Sequence, residues 1–106
     1  MRVVVDLNAT PAAVSLADPA DCGRFHVELH GDGGHGSLDA ALRESDTGSS
    51  AGADDADIRV DAVRRMASGS VGDTWEDDFA AMLGYARSKG WLSDDGSTIR
   101  AHVERG

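Results

Sequence analysis

Cysteine occurs once in these 106 residues, at Cys22, so no internal disulfide can form. Asp18 and Asp21 stand beside it in sequence and would raise its pKa, which disfavours a nucleophile and leaves a small thiol in a turn. Aromatic residues are equally scarce, with two Trp, two Phe and one Tyr. Proline is confined to Pro11 and Pro19, and lysine to Lys89. No stretch approaches the ~20 consecutive apolar residues of a membrane span. The N-terminus lacks the basic-then-apolar order of a secretory signal. These absences lead to the expectation of a cytoplasmic protein with no membrane partner.

Positive charge is the other deficit. Ten Lys and Arg face nineteen Asp and Glu, for a formal net charge of −9 and a pI near 4.6. Such a chain is repelled by phosphate backbones and anionic lipid, so a nucleic-acid partner is not expected. Basic or neutral proteins and small cationic ligands remain open. The apolar share of 41% is slightly under the usual globular range, and Gly and Asp account for much of the shortfall. The length fits one domain over 1–106 with a modest core.

What the chain does have is one pattern written twice: Arg24-Phe25-His26-Val27-Glu28 and Arg100-Ala101-His102-Val103-Glu104. Both copies alternate with period two, the mark of a half-buried strand. Laid antiparallel they complement each other. Arg24 then faces Glu104, His26 faces His102 and Glu28 faces Arg100. On the opposite face Phe25 meets Val103, Val27 meets Ala101 and Leu29 meets Ile99. A parallel alignment sets like charges side by side, which is unfavourable. The expectation is an antiparallel pair.

The remaining elements follow from periodicity and punctuation. Arg2 to Leu7 reads as a strand with Val3, Val5 and Leu7 on one face. Asn8 to Gly23 has no clear period, with at most a helical turn over Ala12 to Leu16. Ser37 suits a helix N-cap, with Leu38, Ala41 and Leu42 as its stripe. Residues 46–55 are poor in apolar side chains and rich in Gly, Ser and Asp, so a mobile surface loop is expected. Asp57 to Ala67 has helical spacing, although Ile58 and Val60 leave room for a short strand at its start. Trp75 to Lys89 is the clearest helix, with Trp75, Phe79, Met82, Leu83 and Ala86 on one stripe. Thr74 and Asp77 stand at capping-box positions, and Gly90 followed by Trp91 suits a C-terminal stop. Together these predict an α+β fold: a small antiparallel sheet of about three strands, covered on one face by about three helices.

The expected contact surface is the polar face of the paired strands: Arg24, His26, Glu28 and His30 from one, Arg100, His102 and Glu104 from the other. Two imidazoles flanked by carboxylates could bind a divalent metal, or form an acid–base pair with Glu28 and Glu104 orienting the rings. A solvated face whose charge ladders set register is the simpler expectation, and no cofactor is predicted. The leading functional reading is a binding protein acting through this face or the sheet edge, on a protein partner or on its own copy. A small enzyme or metal-dependent binder built on His26 and His102, with a small-molecule ligand, is the alternative.

Other motifs are weaker. Gly31-x-Gly33-x-x-Gly36 has the letters of a dinucleotide loop, but Asp32 carries the wrong charge and no suitable acidic residue follows about 20 positions on. His30, Asp32 and His35 share a glycine-rich loop that is costly to order around a metal. The two helices before the last strand invite a winged-helix comparison. The leading end of the second carries Glu76, Asp77 and Asp78, which phosphates repel. Trp75 and Trp91 read as core anchors and Tyr85 as the edge of a pocket or contact surface.

Overall fold

Alternating apolar residues build the centre of the sheet. Val3 and Val5, Val27 and Leu29, Ala56 and Ile58, and Ile99 and Ala101 are all buried, and their sequence neighbours are not. Each lies on a strand of a computed structural model that describes residues 1–31, 35–52 and 54–105, with only the backbone of His35. The elements are β1 (Arg2–Asp6), β2 (Ala13–Ala17), β3 (His26–His30), α1 (His35–Glu44), β4 (Gly48–Ala51), β5 (Asp55–Arg59), α2 (Val60–Ala67), α3 (Trp75–Lys89) and β6 (Thr98–Arg105).

The six strands form one mixed sheet in the order β2-β1-β3-β6-β5-β4, curled into a half-barrel. The three helices contribute the rest of the core. Leu38, Ala41 and Leu42 come from α1, Val60, Ala62, Val63 and Ala67 from α2, and Trp75, Phe79, Met82 and Ala86 from α3. Full burial of a Val, Leu, Ile or Phe side chain is worth about 1.5–3 kcal/mol. Trp75 and Phe79 stack at 4.7 Å, and Trp75 Nε1 donates to the Pro19 carbonyl at 2.6 Å. One indole thereby ties α3 to the loop that leads into β3.

The small three-stranded antiparallel sheet is overturned: the class remains α+β, but the sheet is six-stranded and mixed. Two of the extra strands lie where no strand was expected. Ala13–Ala17 pairs antiparallel with β1, so the possible helical turn is a strand. The 46–55 stretch contains β4, paired antiparallel with β5, and ends where β5 begins. β5 also takes Asp57 to Arg59 from the start of the expected helix, which begins only at Val60.

The relation of β3 to β6 is also corrected. The two run parallel, with Val27 level with Val103, Glu28 with Glu104 and Leu29 with Arg105. The direction of β6 follows from its other neighbour. Residues 98–102 lie antiparallel to β5, Asp57 directly across from Arg100 and Asp55 across from His102. A long helical connection separates β3 from β6, so no tight turn forces them antiparallel. The like-charge objection fails because the long side chains reach diagonally: His26 Nε2 is 3.4 Å from Glu104 Oε2, and Arg2 Nε is 3.5 Å from Glu28 Oε2. In each case the nitrogen-bearing side chain on one strand meets the carboxylate two residues beyond its level partner.

Helix ends divide in the same way. Ser37 lies inside α1 rather than at its cap. Thr74 precedes α3 with helical backbone angles and makes no side-chain cap, so the capping box does not form. The other end is as expected. Gly90 has φ 77°, its N–H bonds to the Arg87 carbonyl at 3.1 Å, and the Trp91 N–H bonds to Ala86 at 2.9 Å. This is a Schellman motif, which closes the helix and fixes where the next residue points.

Candidate functional site

The sheet's polar face gathers six of the seven expected residues, and most of them are occupied with each other. Glu28 lies between His30 Nε2, at 2.9 Å, and Arg2. The hydrogen bond from His30, reinforced by Arg2, holds its carboxyl below the usual range despite partial burial. Glu104 has His26. Arg100 donates to both carboxylate oxygens of Asp57, at 3.0 and 3.4 Å. Arg2 also pairs with Asp18. His102 is exposed, level with Asp55 on β5. The expected opposition of Arg24 to Glu104 and of Glu28 to Arg100 does not occur. Among the described residues, no group of three or more His, Cys, Asp or Glu is arranged to hold a metal.

Arg24 stands apart from that face, exposed and two residues before β3 begins. It lines a cleft of about 660 Å³ between α3, the 20–25 segment and the first half of β6. The volume is within the range of ligand pockets, and the cleft is open to solvent. Phe25, Met82, Ala86 and Ile99 give it apolar walls, while Asp21, Asp78, Arg24 and Arg100 supply charge.

The rim is where the sequence has most to say. α3 buries Trp75, Phe79, Met82 and Ala86 and leaves Tyr85, off that stripe, 58% exposed. The Schellman turn then brings Trp91 back over the last helical turn. Its ring meets Tyr85 edge-on, with centroids 6.0 Å apart, and it remains 47% exposed. Lys89 Nζ lies 5.5 Å from the Tyr85 ring centre. These two are the exposed large hydrophobic residues among those described. The expectation that Trp91 anchors the core is therefore corrected: Trp75 does so, whereas Trp91 packs at the surface. The signal was present in the αL glycine, which aims the following residue at the helix's last turn rather than into the core.

Cys22 also lines the cleft. Burial, with Asp78 next in effect, pushes its thiol up, so the protonated form dominates near neutral pH. Arg64 and Arg65, the basic residues of α2, are engaged within the protein. Arg64 lies 5.2 Å from the Phe79 ring centre and 3.1 Å from Glu76 Oε1, and Arg65 donates to the Ser45 carbonyl. Asp32, Gly33 and Gly34 lie outside the described residues, and with them most of the glycine-loop motif and the loop cluster of His30, Asp32 and His35. No helix among the described residues is long and apolar enough to cross a membrane.

Comparison with known proteins adds no relative: the chain matches no family model, no curated protein and no solved structure.

Proposed function

We propose that this chain is a binding module whose partner is another protein, and that the contact is made by the aromatic-rimmed cleft. The observation that carries this reading is the Tyr85–Trp91 pair, half exposed at the mouth of a concave apolar surface beside Arg24. Trp, Tyr and Arg are the residues most enriched among binding hot spots, and the two rings bury large area at little conformational cost. Holding two such rings in water is unfavourable, and covering them by a partner recovers that cost.

The reading keeps the expected protein partner and moves the surface. Cations and carboxylates on the sheet's polar face pair mainly among themselves, which suits a solvated ladder. Arg24 and Arg100 from the expected set line the cleft. A net charge of −9, with Asp21 and Asp78 at the cleft, favours a basic or neutral partner, met in the cytoplasm.

The test compares immobilised wild type with Trp91→Ala, Tyr85→Ala and the double variant His26→Ala/His102→Ala for protein captured from a lysate of the source cell. A partner held by wild type and by the His variant, and lost at least about 30-fold by Trp91→Ala, supports the cleft. Capture that survives Trp91→Ala and fails with the His variant overturns it and returns the site to the sheet face. Wild type that captures nothing also counts against it.

A further inference from the structure

The sheet has two edges, and they are finished differently. On β4 the Ser50 N–H donates to Asp39 of α1 at 2.9 Å, and the Ser50 hydroxyl reaches the same carboxylate oxygen at 3.3 Å. That strand edge is tied to a helix. β2 is the opposite edge, paired only with β1. Among the described residues, no side chain or loop backbone hydrogen-bonds to residues 12–17. An edge strand is normally guarded by a charge, a proline or a bulge. β2 has the sequence Ala-Val-Ser-Leu-Ala and carries none of them within the strand, and α1 and α2, which pack against it, make no hydrogen bond to it among the described residues.

The segment around β2 is also a palindrome in residue character. Pro11-Ala12-Ala13-Val14-Ser15-Leu16-Ala17-Asp18-Pro19 reads nearly the same from either end about Ser15. Turned about a two-fold axis through Ser15, two copies would set Ser15 against Ser15, Val14 against Leu16 and Ala13 against Ala17. Val14 and Leu16 are only half-buried in the single chain, so a second copy would cover them further. No like charges would meet, because the strand itself carries none and Asp18, which turns away from it at φ 49°, is already paired with Arg2. For a chain of net charge −9 this matters, since most other contacts between two copies bring carboxylates together. Pro11 and Pro19 lie just beyond the strand on either side and, lacking an N–H, cannot lengthen the ladder.

We infer that β2 is a self-association edge: two copies join antiparallel through residues 13–17 and extend the sheet across a two-fold axis. The contact is small beside the ~800 Å² per partner of a standard interface, so dissociation constants on the order of 10–100 μM are expected. It stands apart from the cleft reading, and its test does not involve the partner of that site.

Sedimentation velocity of the full chain from about 10 to 500 μM gives the first readout, with a dimer growing over that range. Ser15→Lys, which puts two ammonium groups on the axis, leaves a folded monomer with unchanged circular dichroism. A covalent probe gives the second. In a Cys22→Ser background, Ser15→Cys places two sulfurs on residues about 4.5–5.5 Å apart between Cα atoms, within disulfide reach. Mild oxidation links most of that variant into dimer and leaves Ser49→Cys, on the tied β4 edge, as monomer. A wild type that stays monomeric at 500 μM overturns the inference. So does a Ser15→Lys variant that dimerises normally, or equal cross-linking at Ser15 and Ser49.

Discussion

β3 and β6 carry the same five-residue pattern and sit in different company. β3 is flanked by parallel neighbours, with Val27 fully buried and Glu28 half-buried between His30 and Arg2. β6 is antiparallel to β5 over 98–102 and parallel to β3 over its last residues, where Val103 is half-exposed and Glu104 meets His26. The alternation decides which side chains face inward. The strand next door decides which partner each polar residue finds and how much each apolar one contributes.

The sharpest way to break this comparison is through the apolar positions. Leu29→Ala in β3 removes a buried side chain and is expected to cost about 2–5 kcal/mol, whereas Val103→Ala in β6 costs under about 1 kcal/mol. Urea titrations of both variants decide it, and equal losses would mean that the two copies are energetically alike. The second effect is a pH dependence. Glu28 has its carboxyl lowered on folding, so its contribution is present above the ordinary Glu range and is lost as pH falls through the lowered value. Wild type should therefore weaken on acidification below roughly pH 4, and Glu28→Gln should flatten that limb. Urea midpoints between pH 2 and 7 give the comparison. The smallest effect belongs to Arg100. Its exposed pairing with Asp57 should show weak coupling at low salt and none in 1 M NaCl, and the exchanged pair Asp57→Arg/Arg100→Asp should regain the wild-type midpoint.

The parts of the fold legible in sequence are those where one physical signal dominates. α3 was readable at both limits, from its stripe at one end and its αL glycine at the other. The inward faces of β1, β3 and β6 were readable from alternation. Strand direction was not, because level pairs were weighed and diagonal ones were not. A twisted sheet lets His26 reach Glu104 across that diagonal. β4 escaped for a different reason. Gly48 resembles loop composition, yet a Cβ there would lie 2.0 Å from the Asp57 carbonyl oxygen. The glycine reflects close approach by the neighbouring strand, and only the tertiary structure reveals that. β2 escaped because its small residues have low strand propensity and lie between two prolines. Of the polar residues expected at a site, Arg24 and Arg100 line the cleft, and Tyr85 lies at its edge. The cleft itself was not legible, since α3, the 20–25 segment and β6 meet there from distant parts of the chain.

β6 lies between β3 and β5, yet it is made after every other strand. Without it, β2-β1-β3 and β4-β5 share no strand neighbour. Only the arrival of residues 98–105 can join them. Completion of the core therefore waits on synthesis of this segment, and a nascent chain halted before Thr98 is exposed to chaperones and proteases at two unmatched borders.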